Sequence, residues 1–411
     1  LMPNVLLKNA CTAFSGQKSQ LNDIFISNGN IQETIPNDLP LDSEIKDLDG
    51  SIVFNNMIDL GTTISEPGHE YRETLEQTCE AASLGGFSAI ISFPNTFPSI
   101  DNRSSIEYLR SRSGKFHGIQ ILPIGALTKA NTGEELAEIL EMNEAGAIAF
   151  SDGNHPVKNG GMLLRGFDYI KGIQKVLLST PYDMELFPKG QIHEGYISTL
   201  LGVPGIPAPA EEIIVHRDIE LARYTQGKLH INCISTKGSV ELIRKAKAEG
   251  LDVTCSVSVN NLIFSVEDLL EYDSKLKLLP PLREKETCII LWEAVKDGTI
   301  DVITSQHRAL EPEKKDLEFP YASFGAMGLQ TAIIALLTRY PEEETIPILQ
   351  KVFSDNIIRI FGLEEYFQED KIAIFDKCEN YNFGINELAS NSYNSPFIGR
   401  SFNYKLNHIK N

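Results

Sequence analysis

The chain has 411 residues, of which 42% are hydrophobic, and its formal net charge is -19. This length and hydrophobic content suffice for one large domain with a substantial core and a smaller subdomain. Because an acidic surface repels phosphate backbones and anionic lipid, the charge argues against nucleic acids and membranes as partners.

Short strands are predicted at both ends of the chain. In residues 3–50, short apolar runs alternate with turn signals, which is typical of short antiparallel strands. The segment from about residue 370 has the same character. We therefore predict a small β-sandwich subdomain built from both termini, residues 1–52 and 366–411.

The central part of the chain, residues 53–365, has a different pattern. Eight short apolar runs occur in order, from IVFNNMIDL to IDVITSQH, and segments with helical periodicity separate most of them. Strands that are nearly continuous in apolar residues are typical of a parallel sheet covered by helices. The pattern predicts an α/β fold, a (β/α)8 barrel of the TIM type, whose active site lies at the carboxyl ends of the strands.

The cysteines and the hydropathy pattern indicate the compartment. The six cysteines lie far apart without a Cys-x-x-Cys motif, which favours reduced thiols over a disulfide framework. No signal peptide is evident, and no apolar run approaches the roughly 18 residues that span a bilayer. We therefore expect a cytoplasmic protein.

The predicted strand ends supply few metal ligands. A catalytic zinc ion needs about three protein ligands and an open position for water, and no strand end carries a His-x-His pair. Asp152 lies between Ser and Gly at a turn, where local backbone hydrogen bonds are the alternative to metal binding. His307 is expected on an exposed loop, as a weak candidate ligand.

Three other residues are expected to be structural. Cys233 lies among β-prone residues and is interpreted as a small buried side chain. Alternation along the strand places His230 on the face opposite Cys233, which favours a structural histidine. Cys79 lies in a helical run and is expected to pack in the core. The chain also lacks a GxSxG elbow, a phosphate-binding GxxxxGK[ST] loop and a GxGxxG motif.

Six segments along nearly the whole chain have a distinctive sequence: EPGHEYRETLEQTCEAASLGGFSAIISFPNTFPSIDN, PIGALTKANTGEELAEILEMNEAGAIAFSDG, HEGYISTLLGVPGIPAPAEEIIVHRDIELA, LPPLRE, FPYASFGAMGLQTA and SPFIGRSF. In this order they resemble the dihydroorotases, in particular the long-form class of the cyclic amidohydrolase superfamily. The resemblance implies an amidohydrolase barrel with a terminal β-sandwich subdomain. Members of that family reversibly hydrolyse dihydroorotate to N-carbamoyl-L-aspartate in pyrimidine synthesis, with one or two zinc ions that activate a water molecule.

The resemblance also implies that most metal-binding positions have lost their ligands. The family pattern Asp-x-His-x-His-x-Arg corresponds to residues 59–65, where Gly61 and Thr63 replace the histidines. A ligand aspartate is kept as Asp152. We interpret the six ligand positions as vestigial and expect no metal cofactor; they are Gly61, Thr63, Asp152, Thr180, Cys233 and Ser305, of which Ser305 also occupies the place of the general base.

The positions that contact substrate are changed as well. Ser65 replaces the arginine that clamps the substrate carboxylate, so a bidentate charged contact is lost. Leu279 occupies the place of an asparagine, whereas Asn95 is retained in the substrate pocket. Arg308 and Asn95 are the groups left to hold an anion.

Three functional hypotheses follow from the resemblance. The first is a pseudo-dihydroorotase, a non-catalytic homodimer that serves as a structural subunit with aspartate carbamoyltransferase. The second is an active dihydroorotase with a non-standard zinc site formed by Asp152, Cys233 and His307. The third is a repurposed pocket that binds another metabolite without hydrolysis.

Overall fold

The computed structural model describes residues 4–13, 20–32 and 34–407. Within them the strands are β1 (Val5–Thr12), β2 (Gln20–Ser27), β3 (Asn30–Ile31), β4 (Glu44–Asp47), β5 (Ile52–Asn55), β6 (Ile58–Thr62), β7 (Ala89–Ser92), β8 (Gln120–Pro123), β9 (Ala149–Phe150), β10 (Val176–Ser179), β11 (Ile192–His193), β12 (Gly205–Ile206), β13 (Lys228–Ile231), β14 (Val253–Ser258), β15 (Val302–Thr304), β16 (Ile372–Asn382) and β17 (Ser401–Asn407).

The α-helices lie mainly between the central strands. They are α1 (Leu75–Leu84), α2 (Arg103–Arg112), α3 (Ile139–Ala145), α4 (Gly160–Gly172), α5 (Tyr196–Leu201), α6 (Pro209–Thr225), α7 (Lys237–Ala248), α8 (Val259–Ile263), α9 (Lys285–Lys296), α10 (Pro312–Lys315), α11 (Ala332–Arg339), α12 (Glu342–Gln350) and α13 (Asn356–Phe361). In the part of the chain that the structure describes, no helix is both long and apolar enough to cross a membrane.

Strands from both ends of the chain form one seven-stranded sheet. Its order is β17-β16-β5-β1-β2-β3, and β4 pairs with β1. The prediction of antiparallel strands is wrong for β4, which runs parallel to β1. β1 ends at Thr12 and β4 begins at Glu44, so the chain between them is long enough for the crossover that a parallel pair requires.

The first predicted barrel run is divided between the two sheets. β5 pairs with β1 and β16 of the terminal sheet, whereas β6 pairs with β7. Between them Asn56 has a φ of 49°, which lies outside the strand region and breaks the run. The terminal sheet therefore extends to Asn55, beyond the predicted boundary at residue 52.

The eight predicted central runs each contain a parallel strand. These strands form two sheets, β6-β7-β8 and β9-β10-β13-β14-β15. Single parallel bridges connect the sheets at both junctions, Gly125 with Phe150 and Thr63 with Arg308.

The two faces of these strands pack differently. Ile58, Ala89 and Val302, each the first residue of its strand, share one buried cluster with Ile357 and Phe361 of α13. Alternate strand residues belong to a larger cluster with the surrounding helices. α13 therefore packs beside the amino ends of the barrel strands, and the connecting loops surround their carboxyl ends.

Candidate functional site at the barrel mouth

A cavity of about 490 Å³ lies at the carboxyl ends of the barrel strands. This volume falls within the range of small-molecule pockets, about 300–1,000 Å³. Of the predicted site residues, Thr63, Thr180, Leu279 and Arg308 line it. The wall also includes Asn131, Thr132, Gly133, Asn154, His155, Pro156, Lys158, Asn159, Tyr182, Met184, Asn232, Leu278, Gln306, Phe324 and Gly325.

Gly61 lies where the family resemblance places a ligand, and the space beside it is filled. Its φ is +80°, and a Cβ added there would lie 2.8 Å from Cζ of Phe93. Phe93 directly follows β7 and is buried. The aromatic ring therefore occupies the volume that a larger side chain at residue 61 would need, and sequence reasoning did not identify this role of Phe93.

The two threonines at ligand positions are engaged in loop contacts. Oγ1 of Thr63 accepts a hydrogen bond of 2.8 Å from the Asn154 amide. The Thr180 hydroxyl donates to the carbonyl of Gly153. Both side chains are neutral and hold the β9–α4 loop, so neither resembles a zinc ligand.

Ser305 is hydrogen-bonded to the buried carboxylate of Asp59, a residue of the first barrel strand, β6. Asp59 accepts hydrogen bonds from the Ser305 backbone N–H at 2.7 Å and from its hydroxyl at 2.8 Å. The Thr62 hydroxyl donates to the same carboxylate at 2.6 Å. Burial raises the pKa of Asp59. Ser305, which follows β15, therefore links that strand to β6 through Asp59.

Asp152 is engaged by Thr128, not by its own turn. Its carboxylate accepts hydrogen bonds from the Thr128 N–H at 2.8 Å and from the Thr128 hydroxyl at 2.5 Å. Burial raises the pKa of Asp152 from 3.8 to about 6. Asn95 also acts as a tie between loops, because its amide donates to the Asp152 carbonyl at 3.0 Å and accepts from Asn154 N–H at 2.8 Å.

The cysteines considered above are buried thiols. Burial raises the pKa of Cys233 well above its ordinary value, and its Sγ lies 3.5 Å from Oδ1 of Asn232. Burial likewise raises the pKa of Cys79, to about 12. Zinc binds thiolates, so a thiol that resists deprotonation is a poor ligand.

The prediction that His307 is exposed is wrong. It is 1% exposed, and Nε2 lies 2.8 Å from Oε2 of Glu73, which also accepts a hydrogen bond from Thr78. The ring faces the interior because Glu73, far away in sequence, supplies a buried partner. His230 is structural as expected, since Nδ1 contacts the Thr254 hydroxyl at 2.9 Å and burial lowers its pKa to about 3.

The non-standard zinc site is not assembled. Among residues 4–13, 20–32 and 34–407, no three His, Cys, Asp or Glu side chains are grouped so that they could hold a metal ion. Asp152 bonds to Thr128, burial raises the pKa of the Cys233 thiol, and His307 turns to Glu73. The donor set at the mouth does not fit a zinc ion.

Two positions that the family resemblance assigns to substrate contact, Ser65 and Leu279, are buried or apolar. Ser65 is 4% exposed and its carbonyl accepts the His69 N–H in a turn. Leu279 places an apolar side chain on the cavity wall, and its carbonyl accepts a 2.7 Å hydrogen bond from the Gln306 amide. Neither residue presents a charge to a ligand.

Two buried lysines near the mouth were missed by sequence reasoning. Nζ of Lys315 donates to the carbonyls of Ser274 and Lys277, and Nζ of Lys277 donates to the Phe319 carbonyl and to Gln191. Burial lowers the pKa of Lys277 to about 8 and that of Lys315 to about 7. Lysine is rarely buried, so the sequence offers no signal for this placement.

Segments that carry the family resemblance build a buried support behind the site. Glu211 accepts hydrogen bonds from Ser235 N–H at 2.8 Å, Thr236 N–H at 3.1 Å and the Ser239 hydroxyl at 2.6 Å. The Arg283 guanidinium lies 3.5 Å from its carboxylate. This network holds the start of α6, the turn before α7 and the LPPLRE segment together.

Solved structures define the class to which this fold belongs. The L-hydantoinase of Arthrobacter aurescens superposes with a TM-score of 0.86, at 22% identity, over 98% of this chain and 94% of that chain. The dihydropyrimidinase of Brevibacillus agri gives a TM-score of 0.80 at 18% identity, over 98% and 92%. The chain thus has the fold of the amidohydrolase barrels.

Sequence comparison identifies the family within this class. Residues 50–239 match the model described as dihydro-orotase-like. The dihydroorotase of Pelotomaculum thermopropionicum is 38% identical over 93% of this chain and 91% of its own length, and that of Geobacter metallireducens is 36% identical over 92% and 90%. The chain belongs to the dihydroorotase family.

Proposed function

We propose that this chain is a non-catalytic dihydroorotase homologue, without a zinc site, that serves as a structural subunit in pyrimidine synthesis. The observation that carries the proposal is the contact between Gly61 and Phe93, in which an aromatic ring takes the space of a ligand side chain. The chain keeps the fold of the family, while the space for a metal-ligand side chain at residue 61 is occupied. This supports a role that depends on the shape of the fold and not on metal chemistry.

The chemistry of the remaining side chains supports the same proposal. Ring hydrolysis requires an activated water and a group that moves its proton. The hydroxyl of Ser305 donates to Asp59, and a neutral hydroxyl is not a base near pH 7. Leu279 and Ser65 provide no charge for a substrate carboxylate.

Metal content and ring opening test the loss of catalysis. We expect protein purified without a metal-affinity tag to contain less than about a tenth of an equivalent of zinc. We also expect no ring opening of dihydroorotate, with or without added zinc. The Geobacter metallireducens dihydroorotase serves as the positive control, and zinc-dependent ring opening by this chain would instead support the active alternative.

The proposed partners are a second copy of this chain and aspartate carbamoyltransferase, in the cytoplasm and without nucleic acid or membrane. The resemblance to pseudo-dihydroorotases supports aspartate carbamoyltransferase as the partner. The negative net charge argues against nucleic acids and anionic membranes as partners, because their phosphate groups repel it. Exposed apolar side chains on α5 and α6, among them Tyr196, Leu200 and Tyr224, offer surface for protein contacts.

Gel filtration tests the partner. A mixture of this chain with the aspartate carbamoyltransferase of the same organism should elute earlier than either protein alone. Replacing Tyr196 and Leu200 by Ser should weaken the complex, whereas Tyr169→Ser on α4, also an exposed tyrosine, serves as the matched control. Separate elution at micromolar concentrations would contradict the scaffold role.

A further inference from the structure

The chain between β10 and α6 contains a short arm, which we define as residues 191–206 and call the α5 arm. β11 and β12, which pair in parallel, form its base, and α5 lies between them. The arm is tied to the segment before α9. The Tyr272 hydroxyl donates to the carbonyl of Leu201, the last residue of α5, at 2.8 Å, and Arg283 donates to His193 in β11.

The hydrogen bonds of His193 fix the position of its proton. Nη1 of Arg283 lies 2.8 Å from Nδ1 of His193, and Oε1 of Glu284 lies 2.8 Å from Nε2. A guanidinium can only donate a hydrogen bond, and a carboxylate can only accept one. Nδ1 therefore carries no proton, Nε2 carries one, and the imidazole that holds the arm is neutral.

Arg283 is held in place by the buried network behind the site. Its side chain is 3% exposed and lies 3.5 Å from the Glu211 carboxylate, and its Nε donates to the Ser235 hydroxyl at 3.1 Å. A proton on Nδ1 of His193 would set two N–H donors and two positive charges against each other. Because the network anchors the guanidinium, the histidine at the base of the arm is the group that moves.

The charged groups that face His193 act in opposite directions. Burial and the positive charge of Arg283 lower the pKa of His193 below its ordinary value of 6.5, whereas Glu284 and Glu194 act to raise it. Arg283 outweighs Glu284 because the arginine is buried, while the glutamate side chain is 50% exposed and screened by water. The docked arm therefore favours the neutral imidazole.

We propose that the contact between Arg283 and His193 is an acid-sensitive latch for the α5 arm. When His193 takes a proton from solvent at Nδ1, the hydrogen bond to Arg283 is lost and the arm detaches, while the Glu211 network and the barrel stay folded. The latch operates where histidine titrates, at roughly pH 5 to 7. It requires neither a metal nor catalysis.

Release of the α5 arm moves a surface that we propose for protein contacts. The arm carries Tyr196, which is 79% exposed, and Leu200, which is 57% exposed. A complex with aspartate carbamoyltransferase that forms through these side chains weakens on acidification. This effect on the complex rests on the proposed function, whereas the latch is measured on the chain alone and stands if no such complex forms.

Amide hydrogen exchange of the chain alone tests the latch. The N–H of Glu194 bonds to the Ile206 carbonyl at 3.1 Å, and that of Val203 bonds to the Ser198 carbonyl at 3.0 Å. After correction for the intrinsic pH dependence of exchange, both amides should lose protection by at least about tenfold between about pH 7.5 and about pH 5.5. Ser239, in the Glu211 network, is the internal control and should keep its protection.

Variants of His193 assign the effect to its proton. His193→Gln offers an oxygen to Arg283 and does not titrate, so the arm should stay protected at about pH 5.5. His193→Lys carries a positive charge and no acceptor, so the arm should already exchange at least about tenfold faster at about pH 7.5. The matched control is His216→Gln, at an exposed histidine on α6, which should keep the acid response of the native chain.

The native chain supplies an independent measurement if a variant fails to fold. By NMR, the imidazole of His193 should titrate at a lower pH than that of the exposed His216, because burial and Arg283 lower the pKa of His193. The loss of protection in the arm should follow the titration of His193.

Protection of the arm that does not change with pH would overturn the proposal. An equal loss of protection at Ser239, titration of His193 at or above the pH of His216, an unchanged acid response of His193→Gln, or a fully protected arm in His193→Lys would do the same.

Discussion

At the scale of single residues, the ring of Phe93 limits the size of the side chain that position 61 can accommodate. Changing Gly61→His would place a Cβ 2.8 Å from the Phe93 ring at a φ of +80°, where L side chains are strained. We expect the free energy of unfolding to fall by about 2–4 kcal/mol, measured by urea denaturation.

A second substitution separates the two causes of this loss. Adding Phe93→Ala to Gly61→His should recover the part due to overpacking and leave the part due to backbone strain. Full stability of Gly61→His alone, together with bound zinc, would show that the site tolerates a ligand.

Asp152 makes stability depend on pH. Because burial raises its pKa from 3.8 to about 6, the folded state favours the protonated form. Its stabilising contribution is therefore complete below pH 3.8 and is lost as pH rises toward about 6. The total change is about 3 kcal/mol, at 1.36 kcal/mol per pKa unit.

The variant Asp152→Asn removes this titration while retaining an oxygen for the Thr128 N–H. The free energy of unfolding of the native chain minus that of the variant should decrease between pH 4 and pH 7, roughly as the carboxyl ionises. A difference that is constant with pH would show that Asp152 ionises normally in the folded chain.

At the scale of elements, one buried carboxylate connects a helix start, a turn and a loop. Glu211→Gln should lower the free energy of unfolding by about 3 kcal/mol, because the buried Arg283 loses its anionic partner. Amide exchange at Ser235 and Ser239 should accelerate as the turn before α7 loosens.

The same helix supplies the control for this substitution. Glu220→Gln on α6 removes an exposed pair with Arg223 and should change stability by less than about 0.5 kcal/mol. Equal effects of the two substitutions would mean that the Glu211 network adds little to stability.

The strands also show which elements hydrophobic periodicity alone can predict. The eight apolar runs predicted eight parallel strands because a strand buried on both faces is apolar along its length. The run IVFNNMIDL was harder, since no glycine or proline divides it and the break depends on Asn56 at a φ of 49°. Which sheet each half joins is decided by pairing with β16 or β7.

At the scale of the whole molecule, one face of the terminal sheet packs into the main hydrophobic cluster of the barrel. Phe54 and Phe375 of the sheet belong to the same cluster as Phe353, and a Cβ on Gly86 would lie 2.5 Å from the Phe375 ring. We expect a single thermal transition, in which fluorescence of the one tryptophan, Trp292 on α9, and far-UV circular dichroism give coincident curves.

The hydrogen bonds of Asp370 provide a test of whether the sheet and the barrel unfold together. Asp370 accepts hydrogen bonds from Ile31 N–H at 2.7 Å and the Asn55 amide at 2.6 Å. Asp370→Ala should lower the melting temperature reported by both probes to the same extent. Curves that separate would indicate that the sheet unfolds independently of the barrel.

The sequence by itself determined the order of the barrel strands along the chain, the position of the mouth and the small number of candidate ligand side chains at it, because these depend on local periodicity and residue identity. The tertiary structure alone decided that Phe93 fills the space at Gly61, that His307 turns to Glu73 and that two lysines are buried. Each of these facts depends on groups far apart in the chain, and a pattern along the sequence carries no information about which distant side chain will occupy a given space.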